Sequence, residues 1–375
     1  MENWNNVPLG QVLNYEQPTK YIVETTDYNS SYETPVLTAG KSFVLGYTNE
    51  KNGIFTDVPA IIFDDFTTAF HYVDFPFKVK SSAMKILKAD KEKADLRFLY
   101  HRMSKISIDT DLHKRYWISK FSKAQIQLPP LETQKRIAQI LDDAAALRLK
   151  TEQLLKEYDL LAKSIFLDMF GDPAVNPKEW AIIKLGDICG VGSSRRVFVN
   201  ELVDNGIPFY RGKEVGILSV DNIIESDLFI TKEHYEKLMK ETGVPKIGDL
   251  LMPSICPDGR ILRVSNNEPF YFKDGRVLWI KIDELTINSF YLKTFLKELF
   301  FTNYTNIASG TTFAELKIFA LKKIKLLAPP LSLQNQFGEK ITSIEKQKEL
   351  AKQELKESEN LFNCLLQKAF KGELV

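Results

Sequence analysis

The sequence predicts a mixed α+β protein in which two globular blocks alternate with two long helices. Three observations predict it. The stretch Leu128-Pro129-Pro130-Leu131-Glu132-Thr133-Gln134 returns as Ala328-Pro329-Pro330-Leu331-Ser332-Leu333-Gln334, at an offset of 200 residues that also pairs Leu155 with Leu355 and Phe170 with Phe370. A fixed internal period of this kind marks a duplicated structural unit. After each Pro-Pro pair, apolar residues recur every three or four positions, the spacing of one helix face. Before each pair lies a stretch of short apolar runs separated by turn residues, the pattern of small strands.

In chain order, residues 1–128 form the first block. Tyr21-Ile22-Val23, Ser42–Leu45, Ala60–Phe63 and Phe75–Val79 read as strands, Asn52-Gly53 and Asp64-Asp65 as turns, and Leu87–Met103 as a helix. The first long helix follows over 129–171. Proline fits a helix's first turn, and Gly171 supplies a stop. Its expected seam comprises Ile137, Ile140, Ala144, Leu147, Leu154 and Leu161, interrupted by Thr151. The second block covers 172–328, with strands expected near Ile207–Arg211, Lys246–Met252 and Arg276–Ile282, a helix over Ile287–Phe301 and a loop at Gly310-Thr311-Thr312-Phe313. Trp180 stands five residues before Leu185-Gly186, as Trp4 does before Leu9-Gly10. The second long helix, 329–375, has a seam of Phe337, Ile341, Ile344, Leu355 and Phe362, interrupted by Lys348 and Ser358, and a stop at Gly372. A helix of about 40 residues extends roughly 60 Å. So narrow a seam calls for a partner helix.

Bulk composition narrows the function. Hydrophobic residues make up 44% and charged residues 26% of 375, values of an ordinary water-soluble chain long enough for two or three cores. The net charge of +1 means that any nucleic-acid surface is patterned and not global. Cys189, Cys256 and Cys364 lie far apart, which fits buried thiols in a reducing cytoplasm and neither a disulfide framework nor a zinc site. The polar start carries no signal-peptide pattern, and no apolar run has the ~20 residues a membrane span requires. Catalytic and cofactor motifs are missing. There is no phosphate-binding Gly-x-x-x-x-Gly-Lys-Ser/Thr loop, no dinucleotide-binding Gly-x-Gly-x-x-Gly and no His-Glu-x-x-His. Asp64-Asp65 and Asp258-Gly259 read as turns. No catalytic residue and no metal ligand is expected.

Basic and polar side chains near turns offer nucleic-acid contacts. In the first block they are Lys41, Thr67, Thr68, His71, Tyr72, Lys78 and Lys80; in the second, Arg195, Arg196, Arg211, Lys213, Arg260, Arg263 and Arg276. Arginine can grip a guanine edge with two donors, and both Arg and Lys neutralise phosphates. Ordinary solvated faces look similar, so these are candidates only.

The doubled helix, introduced by Ile126-Gln127-Leu128-Pro129-Pro130-Leu131 and again by Ile324 to Gln334, resembles the specificity subunit of type I restriction-modification systems. Thr38–Ser42 and Ile62–Thr68 in the first block, with Ile207–Glu214 and Gly243–Leu251 in the second, resemble target-recognition domains of that family. The resemblance implies two target-recognition domains, each reading half of a bipartite, asymmetric site in double-stranded DNA. Two antiparallel helices with pseudo-twofold symmetry would form a coiled-coil-like spacer and dock methyltransferase (modification) subunits. S-adenosylmethionine, ATP and Mg would belong to partner subunits, the ATP to restriction subunits where present, and none to this chain. Two other readings stay open: a specificity subunit serving a fused methyltransferase-nuclease, and an elongated protein-interaction scaffold.

Overall fold

The computed structural model describes residues 4–40, 42–108, 115–221, 224–310 and 314–374; Lys41 and Thr311-Thr312-Phe313, singled out above, lie outside the described residues. The chain divides into two compact units, residues 1–152 with 352–375, and residues 153–351. The long helices run over Leu131–Phe170, 40 residues, and Leu331–Lys371, 41 residues. Each begins in one unit and ends in the other. Each stops at a glycine with positive φ, 81° at Gly171 and 72° at Gly372, a conformation that strains any L side chain.

The first unit is built on a four-stranded antiparallel sheet in the order Leu13–Glu16, Met84–Ala89, Ala60–Asp64, Phe70–Val73. Ala60–Phe63 is buried throughout because both faces are covered. Ile61 and Phe63 join a core with Leu99, Trp117 and Phe121, whereas Ala60 and Ile62 join one with Phe77, Val79 and Met84. That split is the strand period of two. A smaller sheet pairs Thr34–Leu37 with Val44–Thr48 and with Lys78–Val79. The expected helix Leu87–Met103 is shorter, spanning Leu96–Met103, and Leu87 belongs to the central strand. A turn separates strand from helix, with Lys93 N–H and Ala94 N–H donating to the Asp90 carbonyl, and Asp95, whose carboxylate accepts from Phe98 N–H at 2.9 Å, is the start signal. Tyr21-Ile22-Val23 is no strand: Tyr21 ends a 3-10 turn and Ile22 makes one bridge to Val79.

The second unit has a four-stranded antiparallel sheet in the order Gly190–Gly192, Val277–Lys281, Leu250–Pro253, Leu262–Arg263. A three-stranded sheet joins Phe229–Ile230, Ile207–Tyr210 and Tyr271–Phe272. Helices Gly212–Asp221 and Lys232–Thr242 were not expected; the helix Ser289–Ile307 begins at an Asn288 cap. Cys189 and Cys256 are buried, which pushes both thiols up to about 12, whereas Cys364, expected inside, is exposed.

The repeat is structural at the root of each long helix. A two-stranded antiparallel ribbon leads into each Pro-Pro pair, Asn5–Pro8 with Gln125–Leu128 and Ile182–Lys184 with Lys325–Leu327. Leu9 N–H donates to the Ala124 carbonyl at 2.9 Å, and Leu185 N–H to the Ile324 carbonyl at 2.9 Å. The next residue is glycine in both, and a side chain there would be crowded: a Cβ on Gly10 would lie 3.1 Å from the Ser122 carbonyl oxygen, and one on Gly186 3.1 Å from that of Lys322. A buried glutamine then fastens block to helix. Gln134 accepts from Asp95 N–H at 2.9 Å and donates to the carbonyls of Pro129, 2.8 Å, and Lys93, 3.0 Å. Gln334 accepts from Asn288 N–H at 3.0 Å and donates to the Pro329 carbonyl at 2.9 Å. Asp95 and Asn288 cap the helix of their own block, so one side chain joins the starts of two helices.

Within each unit the two long helices run antiparallel. In the first, Ile137 and Leu141 share a core with Leu366 and Ala369, and further along Arg148 lies over the Phe362 ring. In the second, Phe166 and Phe170 pack on Phe337, and Lys348 reaches Asp159 at 2.5 Å. Ile137, Ala144, Phe337, Ile341 and Ile344 are buried, while Ile140, Leu154, Leu355 and Phe362 are half-buried. Leu147 and Leu161, expected in the seam, are instead 41% and 46% exposed. The first helix buries Leu141 and half-buries Arg148 and Leu155, one residue on from Ile140, Leu147 and Leu154. One residue is about 100° of helix rotation. Thr151 and Ser358, expected to interrupt the seam, are buried in it; their hydroxyls donate to the carbonyls of Leu147, 3.2 Å, and Leu355, 2.8 Å, so neither is left unpaired.

Candidate nucleic-acid interface

In the second unit the basic candidates converge through the backbone. Ile207–Tyr210 ends at Arg211, and the helix Gly212–Asp221 begins at once. Gly212 sits so close to the next strand that a Cβ there would lie 3.3 Å from the Arg276 carbonyl, and one on Gly216 would lie 3.1 Å from Arg260 Nη1. Lys273 N–H donates to the Tyr210 carbonyl at 2.9 Å, and Gly275 N–H to the Ser193 hydroxyl at 2.9 Å. These contacts gather Arg196, Arg211, Lys213, Arg260 and Arg276, together with Lys273, around one helix start and one turn.

Most of these cations hold a carboxylate. Arg196 Nε donates to Asp274 at 3.1 Å and Arg276 Nη1 to Glu315 at 3.2 Å, while Arg260 lies 2.7 Å from Asp258 and Arg195 2.6 Å from Glu241. Arg211 donates twice to Glu214, from Nε at 3.1 Å and Nη2 at 2.6 Å. Burial works against the Glu214 charge, yet the Arg211 side chain and backbone N–H groups outweigh it and hold the carboxyl below its ordinary value. Lys213 and Lys273 are exposed and have no ion-pair partner among the described residues. Arg263 does not join the surface. It is 18% exposed, lies over the Phe290 ring at 4.0 Å and donates to Ser289 at 2.6 Å. Its guanidinium is a packing element, and burial lowers its pKa. The sequence reading missed Lys317, which binds Glu315 at 2.5 Å beside Arg276. It also missed Glu214, whose i,i+3 spacing from Arg211 was the available signal.

In the first unit the Thr38–Gly40 stretch lies against the strand Phe70–Val73. His71 Nε2 lies 3.3 Å from the Gly40 carbonyl, and its ring is 4.5 Å from that of Phe43. Lys80 N–H donates to the Leu37 carbonyl at 3.0 Å, placing the exposed Lys80 beside the same loop. Thr67 and Thr68 form the hairpin tip, where Asp64 accepts from Phe66 N–H at 2.9 Å and Thr67 N–H at 2.8 Å. Asp64 is thus a turn residue; Asp65 is buried, accepts from Trp117 N–H at 2.8 Å and lies 3.4 Å from Lys85. Tyr72 leaves this group. It points to the other side of its strand, under Arg97 at 4.8 Å and beside Tyr100 at 5.9 Å. Lys78 also turns inward, bound to Glu50 at 2.6 Å and the Asn52 carbonyl at 2.7 Å. A buried ammonium needs such partners, and they leave nothing of it for a ligand.

Among the described residues, no three or more His, Cys, Asp or Glu side chains gather as a metal site, and no helix is long and apolar enough to cross a membrane. The surface that remains is one of exchangeable cations and hydroxyls, suited to a polyanion whose bases and phosphates offer both kinds of acceptor.

Comparison with known proteins agrees with the repeat. The specificity subunit of the type I restriction enzyme EcoR124I/EcoR124II of Escherichia coli is 38% identical over 242 residues, 60% of this chain and 58% of that protein, so the match spans under two thirds of that relative. The type I restriction enzyme MjaVIII specificity subunit of Methanocaldococcus jannaschii is 24% identical over 400 residues, 97% of this chain and 92% of that protein. The crystal structure of a type I restriction-modification system S subunit from M. genitalium shares the fold, with a TM-score of 0.59 at 18% identity, covering 98% of this chain and 96% of that one. The model of the type I restriction modification DNA specificity domain matches residues 1–157 and again 177–360. With both halves of the chain matched by one domain model, and each half rooted on its helix in the same way, the chain belongs to the type I restriction modification DNA specificity family.

Proposed function

We propose that this chain is the DNA-reading, non-catalytic specificity subunit of a type I restriction-modification complex in the cytoplasm. Residues 1–128 and 172–328 are its two target-recognition domains. Residues 129–171 and 329–375 are the helices that set the spacer between half-sites and dock the methyltransferase subunits. S-adenosylmethionine, ATP and Mg work on the partner subunits.

The observation that carries this reading is the contrast between root and surface. The ribbon, the Leu-Gly contact and the glutamine staple recur in both units, whereas the polar surfaces they hold share no residue pattern. A repeated frame carrying two different surfaces suits a site whose halves differ, as symmetric dimers suit palindromes. Lys80, His71 and the Thr67-Thr68 tip in the first unit, and Arg196, Arg211, Arg260 and Arg276 in the second, are the proposed DNA contacts.

The test is methylation mapping in a host that expresses the chain with its methyltransferase subunits, against the same host without the chain. The expected result is a bipartite motif that appears only with the chain. Exchange of residues 1–128 for another such domain should then replace one half-site and leave the other unchanged. A soluble complex that yields no new motif, or an exchange that alters both halves, overturns the proposal.

A further inference from the structure

Arg211 differs from the other arginines of its surface in what holds it. Glu214 is only 6% exposed at its side chain, whereas the Arg211 side chain keeps 41% of its surface open. The carboxylate cannot swing away: it accepts from Arg211 N–H at 2.8 Å as well as from the guanidinium, and it sits in the first turn of the helix Gly212–Asp221, where the helix dipole favours an anion. Its two bonds to Nε and Nη2 occupy the side edge of the guanidinium. Nη1 makes no hydrogen bond among the described residues, so the end edge, Nη1 with the second Nη2 hydrogen, is left with two parallel donors.

Two parallel donors held in a plane match the O6 and N7 acceptors that guanine presents in the major groove. An arginine already fixed by a buried carboxylate has lost its rotamer freedom before it meets DNA, so little further entropy is spent on the contact. Arg196 and Arg276 differ on both counts. Each makes one hydrogen bond to its carboxylate, from a guanidinium more than half exposed, and each can turn to follow a phosphate.

Resting on the DNA-reading role proposed above, we infer that Arg211 reads a guanine in the half-site of the second unit, with Glu214 as its positioning residue. Arg196 and Arg276 are the phosphate-binding neighbours.

The experiment uses the full chain in complex with its methyltransferase subunits. Once the wild-type motif is mapped, binding is measured on duplexes substituted one base pair at a time, across a salt series. Arg211→Ala should abolish discrimination at one G·C position of one half-site, a loss of roughly ten- to a hundredfold in preference, and leave every other position intact. Glu214→Gln keeps the guanidinium but loosens it, and should relax the same position to a smaller degree. Arg276→Ala should weaken all duplexes alike and lower the salt slope by about one. A uniform loss for Arg211→Ala makes it a phosphate contact and overturns the inference, as does relaxation in both half-sites or unchanged discrimination. Glu214→Gln covers the case in which the alanine variant does not fold: relaxation there supports the inference, and unaltered discrimination at every position overturns it. If the wild-type complex itself yields no motif, the DNA-reading proposal fails first and this assignment with it.

Discussion

The two units root their helices with the same backbone hydrogen bonds but fill the space around them with different side chains. In the second unit the root is an aromatic knot: Phe170 lies 4.7 Å from Tyr291 and 5.4 Å from Phe337, and Phe166 is 5.6 Å from Phe337. In the first, the corresponding positions hold Phe370, Phe98, Ile137 and Leu366, and one ring pair remains, Phe98 with Phe370 at 5.8 Å. A charged clamp stands beside that pair. Arg97 donates to Asp142 at 2.6 Å, and His101 Nε2 lies 2.7 Å from the other carboxylate oxygen. Position 342, equivalent to 142, is threonine, and in the second unit the equivalent two helices meet instead, among the described residues, through a single ion pair, Lys293 with Glu345 at 3.5 Å. Geometry that the backbone must satisfy is kept between the copies, whereas volume and charge are free to be solved twice.

Four substitutions test that division. Phe337→Ala should have the largest effect, about 3–5 kcal/mol, because the buried rings of Phe166 and Phe170 lose a common neighbour. Native-state hydrogen exchange should show it in the amides of Ser289–Ile307 and leave Leu96–Met103 protected. Equal loosening of both helices would show that the two roots do not act independently. Gln134→Ala should cost about 2–3 kcal/mol and Gln334→Ala about 1–2, since the first abandons three hydrogen-bonding partners and the second two. A thermal melt of each variant decides the order, and the reverse ranking would break the equivalence of the staples.

Asp142→Asn should cost least, about 1 kcal/mol at neutral pH, and only in the first unit. Burial disfavours the Asp142 anion, but hydrogen bonds from His101 and Arg97 outweigh burial and hold its pKa below the ordinary 3.8. A carboxyl depressed on folding contributes fully above its unfolded pKa and loses that contribution as pH falls through the folded one. The gap between wild type and Asp142→Asn should therefore close in acid. A gap of constant size would assign the effect to packing and not to charge.

The doubled helices were legible because Pro-Pro, a three-and-four period and a glycine stop are all local signals. In the first helix Ile137 and Ala144 are buried where the period puts them, but the row expected at 140, 147 and 154 lies one residue on. Arg148, half-buried over the Phe362 ring, occupies a seam position that a charged residue does not announce. Leu87–Met103 merged a strand end with the helix behind it, since the turn Asp90-Lys91-Glu92-Lys93 between them holds no glycine or proline to mark the break. Of the candidate contacts, Lys78, Tyr72 and Arg263 were drawn inward by Glu50, Arg97 and Phe290, partners 28, 25 and 27 residues away that no local pattern announces. Arg211 was visible as a residue, but its buried clamp belongs to a helix that opens on glycine and so gave no start signal.

The division of each long helix between units orders events in time. The first unit buries Leu366 and Ala369 against Ile137 and Leu141. A chain synthesised from its N-terminus completes the sheets of that unit early, then makes all of residues 153–351 before those two residues exist. The unit begun first is therefore finished last, and the second unit, contiguous in sequence, can complete its core while the Ile137–Leu141 face is still bare. Nascent chains of this protein thus carry an apolar stripe through most of their synthesis, a period in which exposed hydrophobic surface calls for chaperone cover.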